Sequence, residues 1–325
     1  MPPRQGTFRI FRLAGIDVYL HWWWFLVALY EIQGRNGQYS SIIWNAIEYF
    51  ALFLIVLTHE FGHALACRQV GGQANRIMLW PLGGVAYVNP PERAGAQLWS
   101  IAAGPLVNVA LIPVLMGAVY VARLIGLPSG WLDAYILLKS VLYIDIGLLV
   151  FNILPIYPLD GGQILRSLLW FVLGRGRSLM VATVFGLLGV IALVAYAVYS
   201  ESLWTGLIAA YMLMNCWNGL RYSLRLIKLD KLPRRQEYTC PRCGAHPPAG
   251  EVWKCDRCTQ TFDSFATGMR CPLCGVTHAN TMCVDCHTMS PAAAWVQRGS
   301  TSGEHPPLAP PLPPVPEPSG TVSAG

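Results

Sequence analysis

Charged residues are scarce in this sequence. Asp, Glu, Lys and Arg make up 12% of its 325 residues, whereas 54% are hydrophobic and the mean hydropathy is +0.42. An ordinary soluble domain has about 25% charged residues, so the composition excludes a wholly soluble protein and predicts an integral membrane protein. The opening residues, MPPRQGTFRIFRL, lack an early apolar core and a small-residue cleavage site, which argues against a signal peptide.

Apolar runs long enough to cross a bilayer, about 20 residues each, recur over the first two thirds of the chain. We predict six transmembrane helices, at approximately 18–33, 45–67, 97–125, 135–157, 179–199 and 203–220. The segment 71–88, between the second and third helices, is rich in glycine and predicts a short strand or hairpin. The predicted fold class is therefore an all-α multi-pass membrane protein with one short hairpin.

Basic residues are distributed unevenly between the two predicted sides of the membrane. The side that includes both termini holds Arg4, Arg9, Arg12, Arg68, Arg76, Arg93, Arg166, Arg175, Arg177, Arg221, Arg225, Lys228, Lys231, Arg234 and Arg235, and the other side holds Arg35, Arg123 and Lys139. Because cytoplasmic loops carry an excess of Lys and Arg, we expect both termini in the cytoplasm and a location in a bacterial cytoplasmic membrane. The net charge of +6 then reflects topology and contact with membrane lipid, and no nucleic-acid partner is expected.

The composition changes after the last apolar run. We predict a transmembrane domain at 1–225, a basic linker at 226–237, a cysteine-dense block at 238–288 and a disordered proline-rich tail at 289–325. The block contains the Cys-x-x-Cys pairs Cys240/Cys243, Cys255/Cys258, Cys271/Cys274 and Cys283/Cys286. Two such pairs complete the four-sulfur shell of a structural zinc site, whereas disulfides are rare in the reducing cytoplasm.

This cysteine-dense block therefore predicts a double zinc ribbon with two structural Zn²⁺ ions. Sequential pairing of the Cys-x-x-Cys motifs gives two ribbons, and the spacing alone leaves an interleaved cross-brace open. Acidic residues balance the basic ones within the block, so it lacks the basic footprint of a nucleic-acid-binding module. We expect it to contact a protein partner.

Three ionisable residues, His59, Glu60 and His63, lie at the end of the apolar run NAIEYFALFLIVLTHEFGHALA. Ionisable groups at bilayer depth cost about 2.5–3.5 kcal/mol each on insertion scales, so they persist mainly where they have a partner and a task. Two histidines four residues apart on a helix share one face and can ligate one metal ion, with the glutamate beside the open coordination position. A carboxylate there can act as general base and then general acid, which is the arrangement of a peptidase.

A catalytic zinc site needs a third protein ligand. Asp160, at the end of the predicted fourth helix, is the best candidate, because the second and fourth helices run in the same direction and bring it to the depth of the histidines. Asp145, on the same helix, lies more than halfway toward the other face, and we predict a paired, buried polar group there. The prolines before Asp160 would break the helix near a polar cavity, and Gly161 and Gly162 would end it.

The motif HEFGH in a transmembrane helix, followed by AAGPLVN and NILPIYPLDGG, resembles the site-2 protease family of intramembrane zinc metalloproteases. The resemblance covers roughly residues 8–220 and includes GIDVYLHWWW and WPLGGVAYV. It implies His59, His63 and Asp160 as the ligands of one catalytic Zn²⁺, Glu60 as the general base and acid, and Asn152 and Asn108 as groups that orient the substrate or stabilise the oxyanion. The ordinary alternative for each asparagine is a hydrogen bond between helices.

The function predicted from these residues is hydrolysis of peptide bonds in transmembrane protein substrates. The segment 71–88 would pair with the unwound substrate by strand addition, or would serve only as a connecting loop. One alternative function is a metal transporter that uses the same histidines and aspartate, for which the further polar groups are Asp145, Asn215 and Asn218. Another is an inactive membrane scaffold that recruits a partner through the zinc ribbons.

Overall fold

The structure, a computed structural model, describes residues 6–34, 37–80 and 83–295. The chain divides into two compact units, Met1–Asp230 and Lys231–Gly325. The first unit contains the α-helices and a four-stranded sheet, and the second contains two small two-stranded sheets.

The sheet of the first unit is built from two hairpins that are distant in sequence. β1 (Thr7–Leu13) pairs with β2 (Ile16–His21), β3 (Gln73–Trp80) pairs with β4 (Gly83–Asn89), and the strand order is β1-β2-β3-β4. Each hairpin is antiparallel, and β2 joins β3 in parallel. The predicted hairpin at 71–88 is present as β3 and β4, but the prediction of an all-α fold is wrong, because it missed β1 and β2.

The four-stranded sheet packs against the long helix at 42–69. Ile16 and Val18 of β2 alternate with more exposed residues, and they pack in one hydrophobic cluster with Ile77 of β3 and with one face of the long helix at 42–69. Arg68, in the last turn of that helix, donates hydrogen bonds to the carbonyl oxygens of Ala74 at 2.8 Å, of Gly15 at 3.0 Å and of Ala14. This helix contains the HEFGH motif, so the sheet, including β4, is held beside the motif.

The helices occupy the places where the apolar runs predict them, with two additions. They are α1 (Trp23–Gly34), α2 (Ile42–Gln69), α3 (Ala94–Leu124), α4 (Leu127–Gly130), α5 (Leu132–Ile153), α6 (Asp160–Leu173), α7 (Arg175–Tyr199) and α8 (Leu203–Asp230). In the described part of the chain, four of them, α2, α3, α5 and α7, are long and apolar enough to cross a membrane. The chain is thus a mostly helical membrane protein, and the predicted count of six spans is not confirmed.

The first and last predicted spans differ most from the structure. A continuous helix at 18–33 is wrong, because β2 continues to His21 and α1 has 12 residues, which cover about 18 Å of a bilayer core about 30 Å thick. α8 has 28 residues but is not among the four candidate spans.

The predicted fourth helix is interrupted before it reaches Asp160. α5 ends at Ile153, because the residue before Pro155 disfavours the helical conformation. α6 then begins at Asp160, so this aspartate opens a new helix and does not end the previous one. Gly161 and Gly162 lie in the first turn of α6, where a Cβ atom on Gly161 would lie within 3.0 Å of the Ile153 carbonyl oxygen. Their predicted role as a helix end is wrong; they allow α6 to start against the broken end of α5.

The regular structure in the described part of the second unit, 231–295, is two short hairpins and a turn. β5 (Trp253–Lys254) pairs with β6 (Thr261–Phe262), β7 (Asn280–Met282) pairs with β8 (Met289–Pro291), and a 3-10 turn follows at Ala292–Trp295.

The structure differs from two of the predicted boundaries near this unit. Residues 289–295, assigned to the disordered tail, form β8 and the turn, and Trp295 is 1% exposed with its ring 5.2 Å from that of Phe265. The rest of the predicted tail, 296–325, lies outside the described residues. The predicted linker at 226–237 begins inside α8, which continues to Asp230.

Candidate metal centres

The proposed ligands of the catalytic metal converge on one point in the first unit. His59 and His63 lie one turn apart on α2 with their Nε2 atoms 3.1 Å apart. Asp160 of α6 places its Oδ2 3.0 Å from His59 Nε2 and 3.4 Å from His63 Nε2. Ligand atoms about 2.1 Å from one tetrahedral ion lie about 3.4 Å apart, so the three atoms have a spacing that suits one Zn²⁺ ion.

The Nδ1 atom of each imidazole makes a hydrogen bond that fixes the orientation of the ring. His59 Nδ1 donates to Asn108 Oδ1 at 2.6 Å, and His63 Nδ1 donates to the carbonyl oxygen of Ser100 at 3.0 Å. Both acceptors belong to α3, and a proton on Nδ1 leaves the lone pair of Nε2 free for a metal. The donor set and its hydrogen bonds therefore fit a bound zinc ion.

α3 can approach the histidines because residue 104 is glycine. A Cβ atom on Gly104 would lie 2.8 Å from His59 Nε2 and still closer to His63 Nε2, so any larger side chain would occupy the space between the ligands. Neither Gly104 nor Ser100 is among the predicted site residues, since they act through a missing side chain and a backbone carbonyl. The run of small residues AAG at 102–104 is the signal that could have indicated a close helix approach.

Glu60 lies beside the ligands and is held by β4. Its side chain is buried, and Oε2 accepts a hydrogen bond from the backbone N–H of Ala86 at 2.8 Å. A Cβ atom on Gly84 would lie within 3.0 Å of Glu60 Cγ, so the strand passes directly over this side chain. The glutamate is thus oriented by the sheet, while Asp160 lies in contact distance of both histidines.

A cavity of about 330 Å³ opens on this centre. Its walls include His59, Glu60, His63, Asp160 and Asn152, together with Gly84, Ala86 and Val88 of β4. Because the N–H of Ala86 points away from β3 toward Glu60, and because strand groups alternate with a period of two, the N–H groups of Gly84 and Val88 face the cavity as well. β4 therefore presents an open edge to the candidate active site.

The two predicted catalytic asparagines have different surroundings. Asn152 is on the cavity wall, and its amide makes no hydrogen bond to any residue that the structure describes. Asn108 is fully buried, its Oδ1 faces His59, and its Nδ2 donates to Asp145 Oδ1 at 2.5 Å. Both amide atoms of Asn108 are thus occupied by protein groups, and Asp145 is the paired, buried carboxylate that the sequence predicts.

The eight cysteines of the second unit form two quartets. One consists of Cys240, Cys243, Cys283 and Cys286, and the other of Cys255, Cys258, Cys271 and Cys274. Sulfur atoms of different Cys-x-x-Cys motifs lie 3.5–3.7 Å apart within a quartet, close to the separation of about 3.8 Å for four sulfurs 2.3 Å from one ion. The quartets can each hold one zinc ion, and backbone N–H groups of Cys274 and Leu273 lower the pKa of the Cys271 thiol to about 6.

The pairing of the Cys-x-x-Cys motifs is nested. The first motif joins the fourth and the second joins the third, so the predicted sequential pairing is wrong, and the interleaved cross-brace is wrong too. The β5–β6 hairpin encloses Cys255 and Cys258, and the β7–β8 hairpin encloses Cys283 and Cys286, so each hairpin carries one motif of a different quartet.

The fold and the first site together define a class. Membrane-spanning helices, a buried group of two histidines and one aspartate, and a glutamate between the histidines on the same helix are the features of a membrane-embedded zinc metallopeptidase.

Comparison with known proteins agrees with this class. Residues 47–135 and 129–196 match the sequence model of Peptidase family M50. A zinc metalloprotease of Methanocaldococcus jannaschii is 32% identical over 180 residues, which are 55% of this chain and 50% of the relative. A putative zinc metalloprotease of Synechocystis sp. is 28% identical over 67% of this chain and 60% of the relative. These matches confirm the resemblance to the site-2 protease family, and residues 47–135 and 129–196 carry the similarity to peptidase family M50.

Two further matches are a curated protein and a solved structure. The chain spans about half the length of the curated relatives that it matches. Stage IV sporulation protein FB of Bacillus subtilis is 31% identical over 35% of this chain and 37% of the relative. The solved structure of a site-2 protease from Methanocaldococcus jannaschii superimposes with a TM-score of 0.48 and 27% identity, over 66% of this chain and 95% of that one.

Proposed function

We propose that this protein is an intramembrane zinc metalloprotease that hydrolyses peptide bonds of transmembrane protein substrates. The convergence of His59, His63 and Asp160 on one point, with Glu60 beside them, carries the proposal. The relatives named zinc metalloproteases support it. The proposed metal content is one catalytic and two structural Zn²⁺ ions.

The proposed catalytic groups divide the chemistry among them. Zn²⁺, when bound to the histidines and Asp160, supplies a Lewis acid that polarises a carbonyl and makes water nucleophilic near neutral pH. Glu60, oriented by the Ala86 N–H, removes a proton from the attacking water and passes it to the leaving amine. The free amide of Asn152 on the cavity wall donates to the oxygen of the scissile carbonyl as it becomes an oxyanion.

The open edge of β4 is the proposed binding surface for the substrate. A transmembrane helix hides its peptide groups in internal hydrogen bonds, so it must unwind before its carbonyl carbon can be attacked. The N–H groups of Gly84 and Val88 face the cavity beside Glu60, and an extended peptide can pair with such an edge. Strand addition would therefore hold the unwound segment next to the catalytic centre.

The proposed topology has both termini in the cytoplasm. Contacts within the first unit support a common side for the basic segments: β2 pairs with β3 across Asp17 and Arg76, and Arg175 forms an ion pair with Glu92 at 3.1 Å. α8 packs along α7, with Gly176 against Ile227. These contacts support one shared end for the basic segments, and the positive-inside rule favours the cytoplasm for that end. The zinc-ribbon unit would then be available to a cytoplasmic protein partner.

The metal-transporter alternative finds less support. Asn215 donates to the Tyr211 carbonyl oxygen of its own helix at 2.8 Å, and Asn218 is exposed on that helix. Asp145 is engaged by Asn108. These groups do not line the cavity of the metal centre, whereas the position of Glu60 beside the ligands has a direct use in proteolysis.

A Glu60→Gln variant tests the proposed function. We expect zinc content to remain at the wild-type value and proteolysis to fall by about 10²–10⁴-fold, the usual contribution of a general acid-base group. The measurement is metal analysis of the purified protein, together with a comparison of membrane proteins in cells that express either form, in which substrates accumulate intact. Glu48→Gln is the matched control, because Glu48 is a buried glutamate of the same helix, about 18 Å from Glu60 along its axis. Unaltered cleavage in Glu60→Gln would contradict the proposal.

A further inference from the structure

The hydrogen bonds of the metal centre continue to a carboxylate outside it. His59 Nδ1 is 2.6 Å from Asn108 Oδ1, and Asn108 Nδ2 is 2.5 Å from Asp145 Oδ1. The three residues belong to α2, α3 and α5, and both Asn108 and Asp145 are fully buried. A single line of hydrogen bonds therefore joins Asp145 to a proposed zinc ligand across three helices.

The position of Asp145 is costly for a carboxylate. Its Oδ2 accepts no hydrogen bond from the described residues, and an unsatisfied buried polar atom is destabilising. Asp145 also lies in α5, one of the four candidate membrane spans, where ionisable groups are expensive and are usually functional. An uncharged side chain would be cheaper to bury here, so the carboxylate must do something that an uncharged group does not.

The difference lies in the direction of the hydrogen bonds. An ionised carboxylate can only accept, whereas the amide of Asn108 has one donating end and one accepting end. Asp145 therefore turns the Nδ2 of Asn108 toward itself and the Oδ1 toward His59. The imidazole must then donate from Nδ1, which leaves Nε2 without a proton and facing Asp160.

We propose that Asp145 is a positioning residue of the metal centre, which acts through Asn108 to fix the tautomer and the ring orientation of His59 for zinc binding. This inference rests on the proposed zinc site. It also gives Asn108 a different role from that implied by the family resemblance, since Asn108 orients a ligand and does not contact the substrate.

The Asp145→Asn variant removes the constraint with almost no change of shape. An asparagine at position 145 can present either end of its amide to Asn108, so the orientation of the Asn108 amide is no longer fixed. Loss of a group that orients a metal-bound histidine typically lowers metal affinity by about 10–100-fold, and we expect a loss in this range. Asp133→Asn is the matched control, because Asp133 lies near the start of the same helix and pairs with Ser40.

Zinc affinity of the full-length protein is measured by competition with a chelator. The His59→Ala variant defines the zinc held by the cysteine quartets, and the difference from wild type reports the His59 site. The absorption spectrum of Co²⁺ substituted at that site gives a second readout of ligand geometry. We expect a weaker affinity and an altered spectrum in Asp145→Asn, and wild-type values in Asp133→Asn.

A double variant, Asn108→Asp with Asp145→Asn, provides the rescue. The carboxylate then lies next to His59 and accepts from both neighbours, so the tautomer is fixed again, and we expect affinity and spectrum to return close to wild type. Wild-type values in Asp145→Asn alone, or no recovery in the double variant, would overturn the inference. Since these readouts need no substrate, a protein that binds zinc but cleaves nothing contradicts the proposed function alone, whereas a wild type without zinc at His59 overturns both.

Discussion

Replacing Gly104 with alanine should destroy the catalytic metal site and leave the fold in place. The added Cβ atom would lie 2.8 Å from His59 Nε2 and closer still to His63 Nε2, whereas unstrained contacts with carbon are about 3.5–4.0 Å. The rings would therefore have to move by roughly 1 Å. Metal sites tolerate about 0.2 Å of error in ligand distances, so a shift of this size is several times too large.

The rings cannot move freely to relieve the clash. His59 and His63 are tied to α3 by their hydrogen bonds to Asn108 and to the Ser100 carbonyl, and each bond that is lost costs about 0.5–1.5 kcal/mol. Loss of a single orienting partner already lowers metal affinity by about 10–100-fold. We expect Gly104→Ala to disturb both ligands and to weaken zinc binding at this site by at least about 100-fold.

The assay is chelator competition on the purified full-length protein, with proteolysis measured in parallel. Gly117→Ala is the control, since Gly117 is on the same helix and a Cβ atom there meets nothing within 4 Å. The helix itself should gain about 0.5–1 kcal/mol from either substitution, so Gly104→Ala should be less stable than Gly117→Ala only by about 0.5–1.5 kcal/mol for each hydrogen bond that it loses. If Gly104→Ala retains wild-type zinc affinity at the His59 site, the geometry of the proposed ligands is wrong.

Two further predictions concern the zinc ribbons and the strand edge. The double variant Cys240→Ser with Cys283→Ser should lose one zinc ion, because both cysteines belong to one quartet. The double variant Cys240→Ser with Cys255→Ser should lose two zinc ions, because it damages both quartets. Metal analysis that gave the reverse result would support sequential pairing. Val88→Pro should reduce cleavage by about 2–10-fold relative to Val88→Ala, since it removes one edge hydrogen bond and an outward-facing proline is tolerated on an edge strand. Zinc content should not change, and equal cleavage by the two variants would contradict strand addition.

The parts that the sequence predicts well are those with a strong local signal. His59 and His63 have helical spacing inside an apolar run, and the prolines before Asp160 indicate the break that ends α5 at Ile153. Apolar length also predicts where the main helices lie. These signals depend on residues that are close together in the chain, so they survive without knowledge of the fold.

The parts that the sequence does not predict depend on partners distant in the chain. β2 joins a larger sheet only because β3, more than 50 residues later, offers a parallel edge, and the nesting of the cysteine motifs joins Cys240 to Cys286, 46 residues later. The role of Gly104 cannot be predicted without knowing that α3 packs against α2. Asp145 looks remote from the metal when its helix is considered alone, because Asn108 on a third helix carries the connection.

The hydrogen bond from β4 to Glu60 affects where a substrate would be cut. The Ala86 N–H is already used by Glu60, so a peptide added to this edge would find free N–H groups at Gly84 and Val88, on either side of the glutamate. A strand pairs with such groups at intervals of two residues, which would place one peptide bond of the substrate opposite Ala86 and beside the proposed metal ligands. The strand that orients the general base would therefore also set the register of cleavage, and a shift of the substrate by one residue would turn its carbonyl groups away from the centre.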